Sequence, residues 1–206
     1  MVLAKRIDLS NKFFEFRYGL RQGEEGEDPG ITDEWYKNGL PRIDDNGNTD
    51  ILKVYVPSTW SYYQNRRQFN YFGTGWFQTK IYLPERWGTG DGKKVIIVFN
   101  GSNYKTELWI NGKKIGYHDG GFTKFWFNIG DHVKYGKDNL VVIRVDNRYQ
   151  EDRFPWANPS VGLMNYGGIY RTLYLKVVNP INIDDYKISN EIQFNREFGK
   201  GWENPS

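Results

Sequence analysis

Short apolar or alternating runs, separated by turn residues, dominate the chain, and a helical period is nearly absent. Residues 51–56 predict a strand stopped by Pro57. In residues 76–83, Phe77, Thr79, Ile81 and Leu83 fall on one face, the period of a half-buried strand, and Pro84 ends the run. Residues 95–99 are apolar throughout, which predicts a central strand covered on both faces. Residues 108–110 and 113–117 flank Asn111-Gly112. Asn-Gly tolerates positive φ at both turn positions, so this is the strongest hairpin signal. Residues 125–129, 140–146 and 170–178 complete about eight strands, with the spacing of a sandwich or jelly roll. The predicted fold class is all-β, an antiparallel jelly-roll β-sandwich.

Three segments predict loops: residues 21–50, rich in Gly and Pro; residues 85–94; and residues 149–168, which carry Pro155 and Pro159 and lead into Gly167-Gly168. Long loops without structure of their own are uncommon in compact domains and are often functional. Residues 1–180 form the expected domain. Residues 181–206 are expected to be a linker, or the start of a following domain cut short.

Composition narrows the classes. At 206 residues the chain suits one all-β domain and is too short to add a (β/α)8 barrel of roughly 250 residues. It has no cysteine, so disulfides and thiolate metal sites are excluded. That fits a reducing cytoplasm, the expected location. The 28 basic and 25 acidic residues are interspersed, and the net +3 gives no electrostatic footprint for nucleic acid. No apolar h-region opens the chain and no apolar run of membrane-spanning length occurs, so neither a signal peptide nor a membrane partner is expected. Aromatic residues make up 17%, which suits both a sandwich core and sugar stacking.

Six motifs in order then carry a family resemblance. They are Val56-Pro57-Ser58-Thr59-Trp60; Tyr71-Phe72-Gly73-Thr74-Gly75-Trp76-Phe77; Leu108-Trp109-Ile110-Asn111-Gly112; Gly116-Tyr117-His118-Asp119-Gly120-Gly121-Phe122 with Phe125; Asn139-Leu140 with Arg144-Val145-Asp146-Asn147; and Gly168-Ile169-Tyr170-Arg171. Together they resemble the N-terminal sugar-binding domain of glycoside hydrolase family 2, and Asn165-Tyr166 resembles its β-glucuronidase and β-galactosidase branches. The resemblance implies a galactose-binding-like jelly roll followed by an immunoglobulin-like domain and a catalytic barrel. Two departures matter. Leu9-Ser10-Asn11-Lys12-Phe13 lacks the family's early Gly and Trp, and Gly162 stands where β-glucuronidases place an Asp. Asp152 is similar in placement to a β-galactosidase-type carboxylate that reaches the active site.

No catalytic residue is expected within the chain. Retaining hydrolysis needs two carboxylates about 5–5.5 Å apart, and the resemblance puts that pair in the barrel. Glu151 and Asp152 are adjacent and would point to opposite faces of a strand. The candidate substrate-binding residues are Asp152, Trp156, Asn165 and Tyr166. Asp152 either bonds sugar hydroxyls at a pocket completed by the barrel or is merely solvated. Trp156 is the first choice among the loop aromatics Trp87, Trp156, Tyr62 and Tyr63, while Trp60, Trp76, Trp109 and Trp126 are expected in the core. Structural roles are expected for Asn111, Gly112, His118, Gly120, Gly121, Gly167, Gly168 and Arg171, the last through an ion pair. The Asp44-Asp45-Asn46-Gly47-Asn48 run lacks the Glu that would close a calcium loop and predicts a solvated turn. No cofactor or metal is expected.

The function expected is that of a non-catalytic, sugar-binding domain of a family 2 glycoside hydrolase. Its expected partners are carbohydrate and the parent's catalytic barrel. A free-standing carbohydrate-binding module and an oligomerisation domain, which would make a homo-oligomer, are the alternatives.

Overall fold

A computed structural model describes residues 5–44, 46–48, 50–60, 71–88, 93–150, 165–181 and 189. Twelve strands are described: β1 Lys5–Asp8, β2 Phe13–Arg21, β3 Leu52–Tyr55, β4 Ser58–Thr59, β5 Gly73–Leu83, β6 Lys94–Phe99, β7 Lys105–Ile110, β8 Lys113–Asp119, β9 Phe125–Asn128, β10 Lys137–Asp146, β11 Gly168–Ile169 and β12 Leu173–Val178. The order β3-β2-β5-β10-β7-β8 makes one antiparallel sheet, β1-β12-β6-β9 a second, and β11-β4 a short pair. The chain passes back and forth between the two large sheets, as the jelly-roll expectation required.

Period-two alternation builds the core. Phe77, Ile81 and Leu83 of β5 and Val141, Ile143 and Val145 of β10 point inward, where they meet Val95, Ile97 and Phe99 of β6 and Leu173, Leu175 and Val177 of β12. The predicted central strand β6 is covered on both faces. Its alternate residues Ile96 and Val98 join Val178 in a small cluster on the far side. At the predicted hairpin, Asn111 (φ 51°) and Gly112 (φ 83°) occupy the two left-handed turn positions between β7 and β8.

The sequence pattern missed β1 and β2. In β2, Phe14 and Phe16 are buried while Glu15 and Arg17 face out, an alternation hidden by the many aromatics around it. Residues 21–50 are more than a loop. They hold two short helices, α1 Pro29–Thr32 and α2 Trp35–Asn38. Trp35 and Leu40 pack with Trp76, Trp109 and Val142 on the outer face of the six-stranded sheet. Trp76 stacks on Trp109 with centroids 5.3 Å apart, and Tyr36 stacks on Trp109 at 5.4 Å. An apolar sheet face must be covered, and this excursion covers it.

Two tryptophans lie opposite to expectation. Trp126 is 59% exposed, because Phe125 takes the core-facing position of β9 and alternation turns Trp126 outward. Trp87, expected as a loop aromatic open to sugar, is buried in the main core. Tyr62, Tyr63, Asp152, Trp156, Gly162 and residues 190–206 lie outside the described residues. The Asp44 loop is a turn closed by Asp44 Oδ1, which accepts from the amides of Asn46 (2.9 Å) and Asn48 (2.7 Å).

Candidate functional site

The segment Asn165–Gly168 returns to the sandwich at the end where β10 stops and β7 begins. Three asparagines hold it there. Asn147, directly after β10, is wholly buried. Its Oδ1 accepts from Gly73 N (2.9 Å), and its Nδ2 donates to Asn165 O (2.8 Å) and Tyr71 O (3.3 Å). Asn165 answers with Nδ2 donating to Asn147 O at 2.8 Å. Asn103, ahead of β7, donates from Nδ2 to Tyr166 O (2.8 Å) and to Asn165 Oδ1. Its backbone makes a reciprocal pair with Gly168, at 2.9 and 3.2 Å. An amide side chain carries both donors and an acceptor, so these residues replace strand pairing where the strands end.

The glycine pair makes this approach sterically feasible. Trp60, almost wholly buried, donates from N to Gly167 O (3.1 Å) and from Nε1 to Tyr71 O (3.2 Å). A Cβ on Gly167 would stand 1.6 Å from Trp60 Cζ2. Gly168 has φ +127°, and a Cβ there would lie 2.8 Å from Ser58 O. Gly121 is constrained too, since a Cβ would fall 2.5 Å from Asn103 Oδ1, a buried oxygen with no hydrogen-bond partner among the described residues. The burial of Tyr71 pushes its phenol far above the ordinary range, so it stays a neutral donor toward Gly19 O and Thr74 O.

The structure thus brings Asn165 and Tyr166 together at one rim, with the Tyr166 ring 40% exposed. Arg171, expected in an ion pair, instead donates to the carbonyls of Phe122 (3.1 Å) and Asn100 (3.4 Å). Tyr170 Oη reaches Gly121 O. The motif ending in Arg171 is therefore tied to the Gly120-Gly121 turn through main-chain oxygens, which need no charge partner. His118 stacks on Phe125 at 4.0 Å, and its Nε2 lies 3.0 Å from Thr123 Oγ1. Burial holds its pKa below the usual value, against the opposing pull of Asp119. Asn111 Nδ2 donates to His132 O (3.0 Å) and Asn139 Oδ1 (2.9 Å), anchoring the hairpin to the start of β10.

Sequence reasoning gave no warning of a buried charge cluster beside this rim. Arg144 Nε donates to Asp28 Oδ2 (2.7 Å), Nη1 to Glu107 Oε2 (2.6 Å) and Nη2 to Asp146 Oδ2 (3.4 Å). Arg148 Nη2 adds 2.7 Å to Asp146 Oδ2. Burial disfavours the charged forms of Asp146 and Glu107. The arginines, with Lys114 on Glu107, outweigh that and hold both carboxyls below their ordinary range. A general acid in glycoside hydrolysis needs a raised pKa, which neither of these carboxyls has. The signal that could have found them is Arg144 itself, a charge inside an otherwise apolar strand.

Among the described residues there is no group of three metal-ligating side chains, and no helix is long and apolar enough to cross a membrane.

Comparison with known proteins agrees with the motifs. Residues 53–180 match the family profile described as "Glycosyl hydrolases family 2, sugar binding domain". The chain is 32% identical over 152 residues to a β-galactosidase of Thermoanaerobacter pseudethanolicus, covering 72% of this chain and 20% of that protein. It is 36% identical over 133 residues to a β-glucuronidase of Bacteroides fragilis, covering 63% of this chain and 18% of that one. The chain thus spans about a fifth of the length of these relatives. Its fold matches the apo structure of a β-glucuronidase from Ruminococcus gnavus with a TM-score of 0.69 at 22% identity, over 85% of this chain and 29% of that one. The chain belongs to glycosyl hydrolase family 2, through its sugar binding domain.

Proposed function

We propose that this β-sandwich serves a parent β-glycosidase, of β-galactosidase or β-glucuronidase type, by forming one wall of its substrate pocket. The Asn147–Asn165–Asn103 clasp supports this reading most directly, because it fixes Asn165 and Tyr166 at the rim where residues 149–168 rejoin the sheet. In this reading Asp152 and Trp156 complete the wall, and the barrel supplies the two carboxylates of retaining hydrolysis. The isolated chain binds sugar weakly, since one wall buries too little of a ligand to offset its immobilisation. The cysteine-free composition favours a reducing cytoplasm.

The test is kinetic and uses the full-length parent with aryl β-glucuronide and aryl β-galactoside. Asn165→Ala and Asp152→Asn are expected to raise KM or lower kcat/KM by roughly tenfold, about 1.4 kcal/mol. Asp152→Asn should do so with an unchanged melting midpoint, while Asn165→Ala also loses the clasp bonds to Asn147 and Asn103. The isolated chain should show no turnover. Unchanged kinetics in both variants would refute the wall, and turnover by the isolated chain would refute the non-catalytic assignment.

A further inference from the structure

Among the described residues, α1 and α2 cover one end of the outer face of the six-stranded sheet. Beyond them lies an open cleft of about 470 Å³, lined by residues that include Phe13, Glu15, Arg42, Lys53, Gln78 and Lys80. That is within the ~300–1,000 Å³ range of small-molecule sites. Gln78 and Lys80 face it from β5, about 20 Å along the sheet from the Asn147 rim at the strand rise of ~3.4 Å per residue.

Its wall is held from both sides. Gln78 Oε1 accepts from Leu40 N at 2.8 Å, while its Nε2 donates to Glu15 Oε2. Arg17 Nη1 donates to Pro41 O (2.9 Å) and Ile43 O (3.1 Å), and its Nε pairs with Asp50 at 3.1 Å. The stretch 40–43 is therefore clamped, and it presents Arg42 to the cleft. Arg42 Nη2 bonds Glu15 Oε1 at 2.8 Å, and among the described residues Nε and Nη1 have no hydrogen-bond partner on a side chain that is 75% exposed.

Two features point to a ligand. The first is aromatic. Phe13 lines the cleft, and Tyr55, its partner across β2 and β3, packs on it with centroids 4.1 Å apart; the two stand 53% and 52% exposed. The second is charge. Among the described residues Glu15 is the one carboxylate in the lining, and Arg42 pairs with it. Lys53 and Lys80 add two ammonium groups with no carboxylate at salt-bridge distance among the described residues. Exposed rings take the C–H face of a pyranose, and an open guanidinium edge with two ammonium groups takes an anion.

We propose that this cleft binds an anionic sugar ring, carboxylated or sulfated, within an oligosaccharide, at a site separate from the substrate pocket. The sugar class rests on the family assignment above; the position and charge preference rest on the cleft.

The experiment is a titration of the 206-residue chain, followed by amide chemical shifts, with three probes: a hyaluronan tetrasaccharide (carboxylate), a κ-carrageenan tetrasaccharide (sulfate) and neutral cellotetraose. At least one anionic probe is expected to bind with Kd of about 1 mM or tighter and to shift residues of β2, β3 and β5. The one that binds identifies the anion. Cellotetraose should bind at least about fivefold more weakly, and added salt should narrow that gap. Phe13→Ala/Tyr55→Ala and Arg42→Gln/Lys53→Gln are each expected to weaken the anionic probe about tenfold, while Trp126→Ala, on the other sheet, has no effect. The proposal is overturned if neither anionic probe shifts these strands, if cellotetraose binds as well as they do, or if Trp126→Ala abolishes binding that the cleft variants leave intact. Failure of the substrate wall would instead appear in the parent's kinetics, which these cleft variants should not change.

Discussion

Gly167 lies flat against the indole of Trp60, so close that a Cβ on the glycine would stand 1.6 Å from Cζ2. The carbonyl of the same glycine accepts from the Trp60 amide at 3.1 Å. Backbone and ring approach here because no side chain intervenes.

Gly167→Ala must therefore push the indole or the return segment aside. Overpacking of this kind costs about 1–3 kcal/mol, and each kcal/mol lowers Tm by roughly 2–4 °C in a domain of this size. Gly168→Ala should cost at least as much, because its φ of +127° and the Ser58 carbonyl both oppose a side chain. Differential scanning calorimetry of the two variants checks this; a melting midpoint equal to wild type in both would contradict the packing described.

Removing Arg144 would leave buried Asp28 without a cation among the described residues and take one of two cations from Glu107 and Asp146, which keep Lys114 and Arg148. Arg144→Met is expected to cost about 3–5 kcal/mol, the usual result of breaking a buried pair on one side. In that background Asp146→Asn should cost less than it does in the wild type, which a double-mutant cycle in urea measures.

The same cluster sets an acid limit. Asp146 and Glu107 have folded pKa values below their ordinary ones. Their contribution is present above the ordinary carboxylate range near pH ~4 and is lost as pH falls through the lowered folded values. Unfolding free energy should therefore drop on acidification from about pH 5. Asp146→Asn combined with Glu107→Gln should flatten that slope.

His118 has a lowered pKa, so the unfolded chain binds its proton more readily than the folded one. Stability from this group is present above the unfolded pKa of ~6.5 and declines as pH falls through it. In an NMR titration the His118 ring should change charge below pH ~6.5, and His118→Gln should remove its part of the stability slope.

Asn147→Ala would orphan Gly73 N and release the carbonyls of Tyr71 and Asn165. An unsatisfied buried polar group costs about 1–3 kcal/mol. Amide exchange should accelerate at Gly73, Asn165 and Tyr166 while the β5–β10 amides stay protected. Uniform acceleration throughout would mean that Asn147 supports the whole sandwich rather than the rim.

Much of the sandwich was legible along the chain because strand burial is a local signal. Phe77, Ile81 and Leu83 declare their face by spacing alone, and Asn111-Gly112 declares its turn by backbone preference. Trp126 shows the limit of that signal: residue type suggested core, but register with Phe125 decided otherwise. The excursion 21–50 was unreadable for a different reason. Its value lies in covering Trp76 and Trp109, a partner surface that local sequence does not describe.

The sequence by itself determined the alternating strands, the hairpin turn and, through six ordered motifs, the family. Tertiary structure alone decided which polar residues meet. Arg144 reaches Asp28 across 116 positions and Glu107 across 37, and the Asn147–Asn165 clasp joins the two ends of a long connection. Such pairings depend on how strands are ordered within a sheet. Burial periodicity reports only which face a residue occupies and not which strand lies beside it.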